Sequence, residues 1–419
     1  GHTLTGTLSV ETDAAADVTI KGGTITGGTS SGIQVEGAVN LTVEDCIITE
    51  NEAVNGAGIY ISGAAQVTIV GTEITNNVAS ANGGGIYQST LGEKSNSCII
   101  KNGTVISGNE AMSGGGVALG AANFETYKST STFTMESGVI TNNHSINGQT
   151  ASSGNGGGIS LVGNGSRFIM KGGEITGNTA DANGGGIYST NWGGVTIGGT
   201  VRDNTAKSSG GGLYIQNVNS EKNPPSTSEV LSVETSAVIT GNTSGSSGGG
   251  ISANNGVTVK VAEGAVLYNN IASSIGDDVH VAENGSATLS LPAASAMGGD
   301  KILSVDGYAI TGWYHDGYEA GLTGRYQWGE KYIDYTIIPG QGVVSTEKEY
   351  YSEYTPVTED NKATVGLKAA HARMYTVRYE WIGLPENTVF YDSLGNLLTP
   401  EIPKSIENLN TGDTYEVDN

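Results

Sequence analysis

The sequence predicts an all-β fold: a right-handed parallel β-helix, then an aromatic-rich β region and the start of a small β module. Three observations carry that prediction. Small-residue triplets, mostly Gly-Gly-Gly, stand before an apolar pair. Their last residues are Gly32, Gly58, Gly85, Gly116, Gly158, Gly186, Gly212, Gly250 and, in the variant Gly-Asp-Asp-Val, Asp278. The successive spacings of 26, 27, 31, 42, 28, 26, 38 and 28 define a unit of 26 to 28 residues with insertions in three intervals. Repeats of that length build solenoids. In step with the triplets runs a column of asparagines, Asn51, Asn77, Asn109, Asn143, Asn178, Asn204, Asn242 and Asn270, each three residues after an aliphatic residue. A further apolar group precedes each column position, as in Val-Thr-Ile at 67–69, Phe-Thr-Met at 133–135 and Phe-Ile-Met at 168–170.

Each unit therefore holds three short alternating runs rich in β-branched residues and separated by turn residues, which is strand patterning. Three strands per unit describe one coil, and coils stack at about 4.8 Å with each apolar group on its counterpart. Asn recurs because stacked amides hydrogen-bond from coil to coil at a turn. Gly recurs because a bend between sheets needs positive φ and no side-chain bulk. A leucine-rich repeat has similar length and its own Asn column, but Leu is scarce here and the remainder is Gly, Ser and Thr. The Gly runs lack the Asp spacing of calcium-binding nonapeptides and the following Lys of a phosphate loop. Cys46 and Cys98, the two cysteines, fall two coils apart, about 9.6 Å, beyond disulfide reach. Two free thiols are expected.

The paired motifs give a resemblance over roughly residues 20 to 290. They are similar to the repeats of chlamydial polymorphic membrane proteins, which carry Gly-Gly-Ala-aliphatic and Phe-x-x-Asn motifs. They resemble more closely the Ile-Thr-Gly-Asn-Thr-Ala and Gly-Gly-Gly-Ile-Tyr repeats of large surface proteins of Gram-positive gut bacteria. This chain has Ile where the chlamydial motif has Phe. The resemblance implies a bacterial adhesin located outside the cell, on the bacterial surface or wall. The implied partner is a host glycan or a host surface or secreted protein, mucin and immunoglobulin among them.

Composition changes near residue 295: 13 of the 19 Tyr and three of the four Trp (Trp313, Trp328, Trp381) lie beyond residue 300. The expected organisation is a β-helix over 1–295, a Tyr- and Trp-rich β region capping it over 296–372, and over 373–419 the start of a small β-repeat module of a surface stalk, cut from a longer chain. A cap is expected because an open coil exposes both a sheet edge and an apolar core. Segments like Val-Gly-Leu-Lys-Ala-Ala-His at 365–371 also follow the helix in the gut surface proteins it resembles.

The chain is acidic, 42 Asp and Glu against 19 Lys and Arg, net −23, which disfavours nucleic acid and anionic lipid as partners. No apolar run reaches membrane-spanning length, and a monomer is expected. The fold also hosts polysaccharide lyases and glycosidases, but fold alone is no warrant for activity. Only Arg167 and Arg202 lie within the helix, and Arg202-Asp203 reads as a surface ion pair. Glu73 and Glu174 share a repeat position in distant coils, whereas a glycosidase needs two facing carboxylates. The five histidines show no metal-ligand spacing. Asp277-Asp278 reads as a turn ending the repeat in preference to a calcium site. No catalytic residue, metal or cofactor is expected; a carbohydrate-active enzyme and a purely structural stalk are the competing readings. Insertions follow the Gly-triplet strand at 88–97, 120–131, 189–194 and 216–228, so they line one edge of the solenoid. Phe124, Tyr127 and Trp192 in them are the expected ligand-binding residues.

Overall fold

The computed structural model describes residues 1–90, 94–120, 129–148, 153–163, 165–190, 193–216, 231–254, 257–262, 264–281 and 288–290, together with strands Tyr308–His315, Tyr332–Ile338, Gly342–Lys348, Val365–Arg373, Tyr375–Val377, Phe390–Tyr391, Leu397–Leu398 and Ile406–Leu409. The expected parallel solenoid is present, with four strand stacks where the sequence suggested three. The first stack holds the Gly-triplet strands, from Ile59–Ile61 and Ile86–Ser89 down to Val279–Val281. The second holds strands such as Gln66–Val70, Asn96–Lys101 and Ser131–Met135. The third holds Glu73–Thr75, Val105–Ser107 and their successors. The fourth is an 8-stranded parallel sheet of short pieces from Glu52–Asn55 to Ile271–Ala272. In the first two coils the strands Leu8–Thr26 and Ile33–Thr49 run unbroken across three stacks.

Register is kept from coil to coil, because slipping by one residue would turn every inward side chain out. Ile33, Ile59, Ile86, Val117, Ile159, Ile187, Leu213, Ile251 and Val279 stack in one fully buried column. Ile48, Ile74, Ile106, Ile140, Ile175, Val201, Ile239 and Leu267 form another. Phe133 and Phe168 stack in the second sheet, ring centroids 5.9 Å apart. The fourth stack turns Ala53, Ala79, Ala111, Ser145, Ala180, Ala206, Ser244 and Ala272 inward. Ala and Ser give no apolar signal, so this stack is hidden from hydrophobic patterning.

The predicted Asn column is a buried ladder. At the first rung Asn51 Oδ1 accepts from the Gly28 N–H, and each rung from Asn77 to Asn270 uses all four of its amide valences, as at Asn178. Its Nδ2 donates to the Ile140 carbonyl (2.9 Å) and to Asn204 Oδ1 (2.9 Å), while its own Oδ1 accepts from the N–H and the Nδ2 of Asn143. The residue before each rung lies in the left-handed region, where Gly, Asn and Asp are favoured; Asn76 (φ 54°), Asn142 (φ 52°) and Gly177 (φ 65°) hold it. The triplet glycines have distinct reasons. The first needs positive φ, as Gly83 does at 63°; the third needs room, since a Cβ on Gly85 would stand 2.6 Å from the Gly116 carbonyl of the next coil. Asp278 occupies that third position where parallel stacking of the first sheet ends. Its Oδ1 accepts from the N–H (3.1 Å) and Nδ2 (2.8 Å) of Asn270, so it takes the place of the next rung. Asp277 accepts from the Ala272 N–H. Both aspartates thus serve the closing turn.

Cys46 and Cys98 are free, buried thiols. Cys98 stacks on Val67, which stacks on Leu41, so two coils separate it from the strand carrying Cys46. Beyond the last Gly-triplet strand the pairing changes sense: Val365–Arg373 runs antiparallel to Val279–Val281 and also to Tyr308–His315.

Candidate functional site

The outer face of the first sheet differs from the rest of the surface. Its central outward column reads Tyr60, Tyr87, Ala118, Ser160, Tyr188, Tyr214, Ser252 and His280. The tyrosines stand in pairs. Tyr60 and Tyr87 lie with ring centroids 5.8 Å apart at 40°, and Tyr188 and Tyr214 are nearly parallel at 5.6 Å. Side chains two residues apart share a face, so the second outward column is Ser89, Gly120, Val162, Thr190, Gln216 and Asn254. Gln216 joins the second tyrosine pair, donating to the Tyr188 hydroxyl (3.1 Å) and accepting from that of Tyr214 (2.9 Å). Gly120 leaves space for Tyr87, whose hydroxyl a Cβ there would strike.

One wall of this face comes from the turn that enters the first sheet. Asn55, Asn82, Ser113, Asn155, Asn183, Ser209 and Ser247 stand there in successive coils, half-buried or buried. Asn82 Nδ2 donates to Asn55 Oδ1 (2.8 Å), Asn183 donates to Asn155 Oδ1 through both its N–H and its Nδ2, and the Ser209 N–H donates to Asn183 Oδ1. Ser113 Oγ reaches Ser160 Oγ at 2.8 Å and ties wall to floor. Sequence reading missed this second ladder, although Asn-Gly before the triplet at 55–56, 82–83, 155–156 and 183–184 was its signal.

The opposite edge is where the insertions depart. Residues 90 and 94, 120 and 129, 190 and 193, and 216 and 231 each flank a segment between a first-sheet and a second-sheet strand. The described residues that flank the insertions therefore share one edge, and it borders the tyrosine face. Phe124, Tyr127 and Trp192 themselves lie outside the described residues. Beneath this edge the corner is polar. Gln88 points into the core and donates to Asn96 Oδ1 and to the Thr132 carbonyl, while Ser131 Oγ donates to the same Asn96 oxygen.

The floor is electrically neutral. From Ile59 to Val281 its outward residues are Tyr, Ser, Thr, Asn, Gln, Ala, Gly, Val and one His. Burial holds His280 down at about 4, and its Nδ1 lies 3.1 Å from Ser252 Oγ. Burial raises the Tyr87 and Tyr188 hydroxyls; Tyr214 is pushed up to about 12 by burial and by Tyr188 against a hydrogen bond from Asn254. Glu11 and Glu36 stack on the first sheet above Tyr60, and the ion pairs lie on the other sheets. Lys171 pairs with Glu136 on the second, and Arg202 with Glu174 (2.8 Å) and Asp203 (2.6 Å) on the third. Past the fourth, Asp181 receives Lys207 (2.6 Å), His144 (3.2 Å) and the Asn147 N–H. Burial would raise the Asp181 carboxyl, but these bonds hold it at about 2.

Catalytic geometry was sought on the same faces. Glu73 and Glu174 stand in one column three coils apart, with Val105 and Val139 between them. That is about 14 Å, wider than the carboxylate pairs of glycosidases, and Glu174 is engaged by Arg202. Among the described residues no group of three His, Cys, Asp or Glu is placed to hold a metal ion.

The family model described as a right-handed β-helix region matches residues 6–223, more than half of the chain. The chain belongs to the right-handed β-helix family. No curated protein and no solved structure gives a significant match. The β-helix fold is shared by adhesins and by polysaccharide lyases and hydrolases, so the choice between them turns on the site. No helix of this β-helix protein is long and apolar enough to cross a membrane among the described residues.

Proposed function

We propose that this β-helix protein is a non-catalytic adhesin of a bacterial surface, holding a host glycan or a glycan-bearing host protein such as mucin or immunoglobulin along the tyrosine face. The observation that carries the reading is an uncharged floor with two tyrosine pairs in a chain of net charge −23. Tyrosine binds through a large rigid ring and a hydroxyl at little entropic cost. The insertions beside the floor support the same reading, since loops on a rigid scaffold commonly carry recognition. Cleaving a glycan needs a general acid with a base or nucleophile, and the described floor offers no carboxylate. The antiparallel strand Val365–Arg373 on the last coil supports a capping role for 296–372, and the module from 373 onward fits a stalk.

The test measures attachment of the protein to immobilised mucin and its turnover of a polysaccharide panel. Replacing Tyr87 and Tyr214 with Ser, or Phe124, Tyr127 and Trp192 with Ala, is expected to weaken attachment by about ten-fold or more while the circular dichroism spectrum is kept. Turnover lost on mutating a carboxylate overturns the adhesin reading, and attachment indifferent to both sets of variants removes this face from it.

A further inference from the structure

We infer that the ligand of the tyrosine face is an uncharged, hydroxyl-rich carbohydrate chain lying along the solenoid axis. This rests on the binding role proposed above and adds the ligand's charge class, shape and direction. Three features point to it. The first is shape. The floor is two side-chain columns wide, about 7 Å, and eight strands long from Ile59–Ile61 to Val279–Val281, about 34 Å. A folded protein partner needs a broad patch, about 800 Å² on each side, whereas a narrow, long strip fits a single extended chain. The floor is also the face of a sheet whose strands are already paired, so an extended peptide cannot gain backbone bonds by adding a strand.

The second feature is charge. Glu11 and Glu36 stack together on the first sheet above the strip, and below them the described floor carries no ionised side chain. Sulfated, sialylated or uronic chains would enter an acidic field with no Arg or Lys on the floor to receive them. Recognition of anionic groups draws on such cations. An uncharged chain meets no such penalty.

The third feature is the distribution of groups. Half-buried rings and amides follow one another along the axis, Tyr60 and Tyr87, then Tyr214 with Gln216, then Asn254, while Ser160, Tyr188 and Ser252 are buried between them. Rings offer apolar faces for the C–H side of a sugar, and amides match its hydroxyls. Tyr87 and Tyr214 stand four coils apart, about 19 Å, so one chain spans both pairs as separate subsites.

The experiment titrates the full chain with neutral oligosaccharides of increasing length (gluco-, galacto- and manno-series) and with heparin and polygalacturonate, each at 50 and 500 mM NaCl. Expected is binding to a neutral series that tightens with length until both tyrosine pairs are spanned and changes less than about two-fold with salt. Tyr87→Ser and Tyr214→Ser should each weaken binding by about ten-fold, and together by the product of the two, as independent sites do. Salt-sensitive binding to heparin or polygalacturonate alone overturns the uncharged-ligand assignment and leaves the adhesin role standing. Binding to mucin that survives complete deglycosylation overturns the carbohydrate class. Binding to none of these probes, mucin included, overturns both readings.

Discussion

Two asparagine ladders climb this molecule, one inside the coil and one at the wall of the tyrosine face, and they are built differently. The inner ladder keeps its rung from Asn51 to Asn270, and each rung is at most 2% exposed. The outer ladder is mostly half-buried and changes residue freely, Asn at 55, 82, 155 and 183, Ser at 113, 209 and 247. They also point in opposite senses. Inner amides donate toward the following coil, as Asn51 does to Asn77; outer amides donate toward the preceding one, as Asn183 does to Asn155. Burial explains the contrast. An unpaired amide costs about 1–3 kcal/mol where water cannot reach it, so the inner position tolerates only a group that fills every valence. At the wall, water substitutes for a missing partner.

The largest expected effect comes from breaking the inner ladder. Asn178→Ala strips partners from the N–H and Nδ2 of Asn143, from Asn204 Oδ1 and from the Ile140 carbonyl. A loss of about 3–6 kcal/mol follows from the count of stranded buried groups, read as a fall in the urea midpoint. A loss below about 1 kcal/mol would mean the ladder is not a cooperative element.

The second effect sets the inner ladder against the floor beside the wall, by pH. The rungs from Asn51 to Asn270 do not titrate, whereas His280 ends the floor column with its value lowered from 6.5 to about 4 by burial. The unfolded chain takes up a proton near pH 6.5 and the folded one only near 4, so the stabilisation is present above 6.5 and lost as pH falls toward 4. The span corresponds to about 3 kcal/mol. His280→Asn should flatten the stability profile between pH 6.5 and 4 in thermal melts; an unchanged profile would place the acid sensitivity elsewhere.

The smallest effect belongs to the wall. Asn183→Ala removes the bonds to Asn155 Oδ1 and from the Ser209 N–H at a half-buried site, and about 1 kcal/mol or less is expected. A value matching Asn178→Ala would erase the distinction between the ladders.

Much of this was legible in the residues themselves. Ile-x-x-Asn and the Gly triplets mark positions where one residue type alone meets the geometry, so period, inner ladder and loop edge could be read directly. The fourth stack was not, because Ala and Ser facing a narrow interior carry no hydrophobic contrast. The tyrosine floor escaped for another reason. In Ile-Tyr and Leu-Tyr pairs the Tyr looks like half of an apolar dipeptide, and only register shows that Tyr60, Tyr87, Tyr188 and Tyr214 point outward in one column. Attention to the insertions turned to Phe124, Tyr127 and Trp192, which lie outside the described residues, and passed over the strands beside them.

Asp278 has a consequence for how such a chain is terminated. Every inner amide must both receive from the coil before it and give to the coil after it, so a final Asn would leave its own N–H groups with nothing to address. Asp278 Oδ1 only receives. Placed where the triplet glycine would otherwise stand, it absorbs both donors of Asn270 and asks for no successor. The ladder is thus a one-way relay of oriented dipoles that ends on an acceptor. Coils can be added or deleted anywhere above that point by whole repeats, and the stop travels unchanged at the bottom of the stack.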